Sequence, residues 1–544
     1  MNDSRLKAKI SRYENGDISA AFDLFKKNYE DGQLETSLKY MDFCLSETLS
    51  IDKNFKPKNK IFLKDLHLVN FRQFKNLKIN FESDLTVIIG PNGSGKTSIL
   101  DALTKTISFI NARFLRQGRS GKPLTRSDVR VNCNSCAEVI TSLELGPNTH
   151  YSCNLVRPSD GISSPKSSQL DSYHEFSSLY RVTNDVQKNL RDEEINFPLF
   201  ASYSVLRTYN KKDVLSYDLE MLPKISAENR LDAIDPSAID GTSNLDTFLE
   251  WYVALTFMAE ESAEENKIQS LEDQYRSLKE IVTSDSHPLK SLLDDTQFKL
   301  QELKSKKTVV KNNNYSKSKL IIDNALIKGV PGITSIKVDT STGRAEVQAT
   351  IDNNSIVIKN LSQGQQVIIG ILADVSRRLI MLNPTLDNPL HGQGVILIDE
   401  IEMHLHPKWQ LFLLESLQNT FPNLQLILTT HSPQILSTTK KDKIRVIGVN
   451  VDNELIAVSP VNETLAHPST DILESVMKVS SIPELPITSE LNKYRALIEQ
   501  GDIESEDILT EIERYKSLLD KEIGNQHPEM IKLDMVLRRR KILG

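Results

Sequence analysis

The clearest signals in this chain are runs of apolar residues that do not alternate. Leu85-Thr86-Val87-Ile88-Ile89 leads into the glycine-rich stretch that starts at Gly90. Beyond it, Ile99, Leu100, Leu103, Ile107 and Ile110 recur at helical spacing, which predicts strand, loop, helix. Val395-Ile396-Leu397-Ile398 ends in Asp399-Glu400, and Leu424 to Leu428 ends in Thr429-Thr430-His431-Ser432-Pro433. Continuous runs of this kind suit parallel strands covered on both faces. Other β segments punctuated by turns follow a different rule. Ile61 to Val69, Leu77 to Phe81, and residues 131–157 and 197–207 predict antiparallel strands, with a hairpin around Gly146-Pro147-Asn148-Thr149. Strands and turns return from Ile333 to Ile358.

Helical patterns frame this body. Residues 1–55 form an N-terminal helical extension similar to a single tetratricopeptide-like unit, which must pack on the body or on another subunit. Residues 245–310 are helical and highly charged, with a break at Ser284-Asp285-Ser286-His287-Pro288. They read as a short coiled-coil-like hairpin or as two surface helices. The expected division is 1–55 extension, 56–244 first half of the head, 245–310 insertion, 311–460 second half and 461–544 C-terminal helical region.

Composition narrows the class. The chain has 544 residues and a formal charge of -7, so no global basic field marks a nucleic-acid binder. No run of eighteen apolar residues and no signal-peptide core is present, so a cytoplasmic protein without a membrane span is expected. Cys133 and Cys136 have metal-like spacing, with His150 and Cys153 nearby. In the expected hairpin, however, Cys153 falls opposite Ser142, roughly 20 Å from Cys136 at ~3.3 Å per residue. That is too far for one tetrahedral ion. The run Arg113, Arg116, Arg119, Lys122, Arg126 and Arg130 reads as a local phosphate-binding strip. Lys299 to Lys319, lysine-rich with the single acid Glu302, reads as a solvated surface.

The candidate chemistry lies at the ends of the apolar runs. Gly90-Pro91-Asn92-Gly93-Ser94-Gly95-Lys96-Thr97-Ser98 fits a phosphate loop between strand and helix. Backbone N–H groups and the helix dipole would cradle the phosphates of ATP, and Lys96 would reach the β/γ-phosphates. Thr97 and Asp399 are the candidate Mg²⁺ holders, and Glu400 is the candidate base for an attacking water. Ser362 in Leu361-Ser362-Gln363-Gly364-Gln365-Gln366 predicts an N-cap whose helix start can receive an anion. His431 is placed to touch a γ-phosphate.

Together these pieces resemble a known family. LSQGQ is similar to the signature motif of ABC-type ATPases, VILIDE to their Walker B strand and TTHSP to their switch-histidine loop. The opening Val69-Asn70-Phe71-Arg72-Gln73-Phe74 and the run Ile398 to Gln410, with its H-L-H-P turn, resemble the SMC, RecF and OLD branch rather than transporters. Within that branch the chain resembles the PtuA-type ATPases of Septu and retron-associated antiphage defence.

The resemblance implies an α/β fold. It would be an ABC-type P-loop ATPase head with an antiparallel β lobe, a helical insertion and helical N- and C-terminal extensions. It implies a head-to-tail dimer or higher homo-oligomer, with Ser362, Gly364 and Gln365 of one copy completing the ATP site of another. It places Arg72 near the nucleotide, and His404 and His406 near the dimer seam rather than on a metal. It implies an HNH nuclease partner of the PtuB type and, in a retron version, a reverse transcriptase with its msDNA. No glutamine loop is evident, and Gln187 is a poor candidate. The glutamate strand and D-x-D pair of OLD nucleases are missing after His431, so this chain is not expected to cut nucleic acid itself. The alternative is a RecF/SMC-like DNA-repair ATPase.

Overall fold

The computed structural model describes residues 3–49, 56–161, 166–205, 230–241, 245–281, 289–305, 314–479, 485–500 and 505–543. Its strands in chain order are β1 (Ile61–Phe71), β2 (Phe74–Asn80), β3 (Leu85–Ile89), β4 (Cys136–Leu145), β5 (His150–Pro158), β6 (Leu199–Tyr203) and β7 (Ile333–Asp339). They continue with β8 (Glu346–Ile351), β9 (Asn354–Val357), β10 (Gly394–Ile398), β11 (Leu424–Thr429), β12 (Ile444–Val449) and β13 (Leu455–Val458). Contacts divide the chain into two compact units, Met1–His467 and Pro468–Gly544.

The first unit is built on a sheet of order β13-β12-β3-β11-β10-β6. From β12 to β6 every neighbouring pair is parallel, and only β13 runs against its neighbour. Each residue of β3, β6, β10 and β11 is buried, as expected of strands covered on both faces. One edge of the sheet therefore gathers the C-terminal ends of β3, β10 and β11. β6 departs from the antiparallel expectation, because Leu199–Tyr203 pairs with β10 in parallel. The run Leu199-Phe200-Ala201-Ser202-Tyr203 does not alternate, and a fully buried parallel strand satisfies it better than a half-exposed one. Residues 206 and 207 of that expected strand lie outside the described residues.

An antiparallel lobe of order β2-β1-β4-β5 covers this sheet. Gln425 on β11 joins the two: its amide accepts from Leu63 N–H at 2.8 Å and donates to Leu63 O and Glu82 O, each at 2.8 Å. The side chain is completely buried with donors and acceptor used, so it links the layers without an unpaired polar group. In the hairpin, Cys153 pairs with Thr141 rather than Ser142, one residue from the expected register. β7, β8 and β9 form a small antiparallel sheet before the helix Gln363–Leu382.

Helices complete the layers. Lys96–Leu115 packs on Asp171–Arg191, with Phe114 at ring-centroid distances of 6.1 Å from Phe176 and 5.4 Å from Phe197. The N-terminal helices Asp3–Glu14, Ile18–Glu30 and Leu34–Leu49 pack on this body, where Ile18 N–H donates to Thr149 Oγ1 at 2.9 Å. Gln363–Leu382 is held from within. Asp374 and Arg378 are fully buried and bonded at 2.8 Å, and the Tyr203 hydroxyl donates to Asp374 at 2.9 Å. Leu245–Ile281 and Lys290–Ser305 pack on each other; the break at 284–288 and Lys306, Lys307 and Lys311 lie outside the described residues.

The second unit contains the helices Pro486–Gln500, Glu506–Glu522 and Pro528–Leu543. Leu491, Tyr494, Ile512, Leu519, Met530 and Leu533 form its core.

Candidate active site

β3 releases the chain at Gly90, and the loop closes at Gly95, where the helix Lys96–Leu115 begins. Gly95 has φ 93°, and a Cβ there would lie 1.9 Å from Gln73 Nε2 and 2.4 Å from Phe74 Cζ. Only glycine fits both the left-handed backbone and that close approach. Gly95 offers no side-chain cap, so the helix N-terminus stays bare. Ser94 Oγ is buried without a hydrogen-bond partner. Lys96 is also buried, and among the described residues its Nζ donates to the loop carbonyls of Gly90 (3.0 Å) and Pro91 (3.2 Å). Burial lowers the Lys96 pKa, while Asp399, Glu400 and Glu402 act in the opposite direction. A bare helix start, an orphaned hydroxyl and a desolvated ammonium together suit a polyphosphate.

β10 is separated from β3 by β11, yet its end reaches the same point. Thr97 Oγ1 donates to Asp399 Oδ2 at 2.8 Å. The second oxygen of Asp399 accepts from Thr429 Oγ1 at 2.5 Å, and Thr429 Oγ1 accepts from Glu400 N–H at 2.8 Å. Glu400 takes a left-handed backbone (φ 44°), which turns the chain sharply away from the strand. A hydroxyl and a carboxylate facing one another beside a lysine form a donor set suited to Mg²⁺, a hard cation that takes few protein ligands and keeps water.

His431 is held by the turn that follows Glu400. Its backbone N–H donates to Glu402 Oε1 at 2.5 Å, and Thr430 Oγ1 donates to Glu402 Oε2 at 2.7 Å. Sequence reasoning assigned no role to Thr429, Glu402 or Gln410, although Glu402 and Gln410 stand inside the H-L-H-P stretch that carried the resemblance. Asp128 was missed too. It is fully buried, accepts from Arg72 Nη2 at 2.9 Å and pairs with Lys105 Nζ at 3.1 Å. Arg72 also contacts Asp101 and donates to Ser98 Oγ at 3.3 Å, so its guanidinium sits beside the first turn of the phosphate-loop helix.

Ser362 caps its helix as expected. Its Oγ accepts from Gln365 N–H at 3.4 Å, and Gln365 Oε1 accepts from both the hydroxyl (2.8 Å) and the N–H (3.1 Å) of Ser362. Ser362 is exposed and Gly364 is buried. Gln187 lies within the helix Asp171–Arg191, not in a loop. In the arginine strip, Arg116 and Arg119 are exposed, whereas Lys122 pairs with Asp240 (2.8 Å) and Arg126 with Asp160 (2.7 Å).

The family sequence model described as "AAA ATPase domain" matches residues 62–436, more than half of the chain. This chain belongs to that ATPase family. Among its relatives is the "Retron Vc95 probable ATPase" of Vibrio cholerae serotype O1 biovar El Tor, 30% identical over 91% of this chain and 94% of the relative. The "Retron Ec83 probable ATPase" of Escherichia coli is 27% identical over 99% and 97%. "Septu protein PtuA" of Bacillus thuringiensis is 23% identical over 73% and 78%. The family and the nucleotide-type loop make this chain an ATP-hydrolysing enzyme on an ABC-type head, of the retron and Septu kind.

Proposed function

We propose that this ATPase is the nucleotide-driven subunit of a cytoplasmic antiphage defence complex that controls an HNH nuclease of the PtuB type. The carrying observation is the near full-length similarity to retron-named ATPases. Lys96 and the bare helix start after Gly95 bind the phosphates of the substrate ATP. Thr97 and Asp399 would hold Mg²⁺, which would supply charge neutralisation to the polyphosphate. Glu400 orients the attacking water and takes its proton, and His431 faces the γ-phosphate. Ser362, Gly364 and Gln365 of a second copy complete the pocket, so turnover requires a head-to-tail assembly.

Cutting falls to the partner, since this chain lacks the paired acids of a Toprim centre after His431. Arg116 and Arg119 offer exposed cations to nucleic acid. In a retron setting, the reverse transcriptase and its msDNA would join the complex. Among the described residues no helix is long and apolar enough to cross a membrane.

The test couples trapping to capture. Glu400→Gln should bind ATP, turn over roughly 10²-fold or more slowly and accumulate as an assembly of at least two copies. Co-expressed with the proteins encoded beside it, that assembly should retain an HNH nuclease. A variant that stays single with ATP and captures DNA but no nuclease would favour the repair-type alternative.

A further inference from the structure

His431 can read the γ-phosphate only if its loop is held in place, and the structure shows what holds it. The loop Thr429–Ser432 leaves β11 and runs beside the turn that follows β10. Besides the Thr429–Asp399 bond, five hydrogen bonds tie the loop to that turn and to the helix Pro407–Thr420 that follows it. Ile401 N–H donates to Thr429 O (3.2 Å) and Glu400 N–H to Thr429 Oγ1 (2.8 Å). Glu402 accepts from His431 N–H (2.5 Å) and from the Thr430 hydroxyl (2.7 Å), while Ser432 Oγ donates to Gln410 Oε1 (2.6 Å). Gln410 is buried and returns to the turn by donating to Leu405 O at 3.0 Å. One carboxylate thus takes the histidine's own N–H and its neighbour's hydroxyl, and a buried amide ties the residue on the other side.

The same turn supports the signature helix. A Cβ on Gly364 would lie 2.6 Å from His404 O, so the helix start leans directly on this backbone. His404 has φ 67°, a conformation that holds the carbonyl in a tight turn.

We infer that Glu402 is a positioning residue for ATP hydrolysis: its carboxylate braces the His431 loop against the turn that also supports the signature helix. The brace rests on the reading of His431 as the γ-phosphate contact. Through it, the helix that completes a neighbouring copy's site and the histidine of its own site share one support. Glu402 makes no chemical step itself. It fixes where the imidazole stands when the water attacks, a placement worth about 10²-fold per ångström of error.

The decisive experiment is a double-mutant cycle on the full chain, with ATP affinity measured separately from steady-state turnover. Glu402→Ala should lower kcat roughly 10- to 100-fold and leave ATP affinity within about twofold, since nucleotide binding rests on Lys96 and the helix start. Glu402→Gln should recover most of the loss. Its amide oxygen accepts from His431 N–H, and its NH₂ donates to the Thr430 hydroxyl. Combined with His431→Ala, Glu402→Ala should cost nothing further, because both act through one imidazole. If Glu402→Ala does not fold, Glu402→Asp, one methylene too short to reach both donors, is used in its place. Full turnover in Glu402→Ala, or losses that multiply in the double variant, overturns the brace while leaving the histidine reading intact. Wild-type turnover in His431→Ala alone sinks that reading and the brace with it.

Discussion

Two helices in this molecule begin at sites where phosphate chemistry is expected, and they begin differently. Lys96–Leu115 starts at a glycine with no capping side chain, beside a buried ammonium and an orphaned hydroxyl. Gln363–Leu382 starts at Ser362 with a complete capping box, in which Gln365 returns to both donors of Ser362. The first start carries hydrogen-bonding capacity that an anion can satisfy. The second meets the N–H groups of Ser362 and Gln365 from within its own first turn. Under the proposed head-to-tail assembly, ATP would bind first to the bare start, and the capped start would engage only when a second copy brings a nucleotide to it.

Lys96→Ala should have the largest effect. Removing the buried lysine of the bare start should abolish detectable ATP binding by the single chain, measured by calorimetry, and retained tight binding would erase the contrast between the two starts. Ser362→Ala should act on the other side of it. The lost cap costs about 1 kcal/mol of stability, visible as a small drop in Tm, while ATP affinity of the single chain stays unchanged. Turnover by the assembled form should fall, and an equal loss of single-chain affinity would mean that both starts serve one nucleotide within one copy.

The smallest effect is on pH. Burial holds the free-site Lys96 pKa below its ordinary value, so the folded site binds fewer protons than the unfolded chain in that window. A bound phosphate raises the pKa again and takes up a proton. ATP affinity should therefore be flat below the lowered pKa and decline as pH rises through it, by at most about tenfold per unit. Lys96→Arg, charged throughout, should show no such decline if it binds.

Much of this was legible because it is local. The strand, the glycine loop and the helix after it are contiguous, and so are the apolar strand and carboxylates of β10. Each carries its geometry in a few neighbouring residues. The exceptions follow one rule. β6 was misassigned because a short, mostly apolar run says that a strand is buried without saying which neighbour buries it. Nothing local marks Asp374 and Arg378, yet they form a fully buried pair with Tyr203, whose hydroxyl bonds Asp374 from 171 residues away. Glu402 stood in plain view beside Glu400, but its function depends on a loop 28 and 29 residues later.

The sequence alone determined the chemical inventory: a bare phosphate-loop helix, two acids at a strand end, a capped signature helix and a histidine turn. It could do so because glycine conformation, capping and apolar period are properties of short segments. Tertiary structure decided which of these meet. Thr97 and Asp399 lie 302 residues apart and touch only because β3, β11 and β10 run parallel and end at one edge. A hydrogen bond needs its partners within about 3 Å. No local preference sets that distance between remote segments; the packing of the whole sheet does.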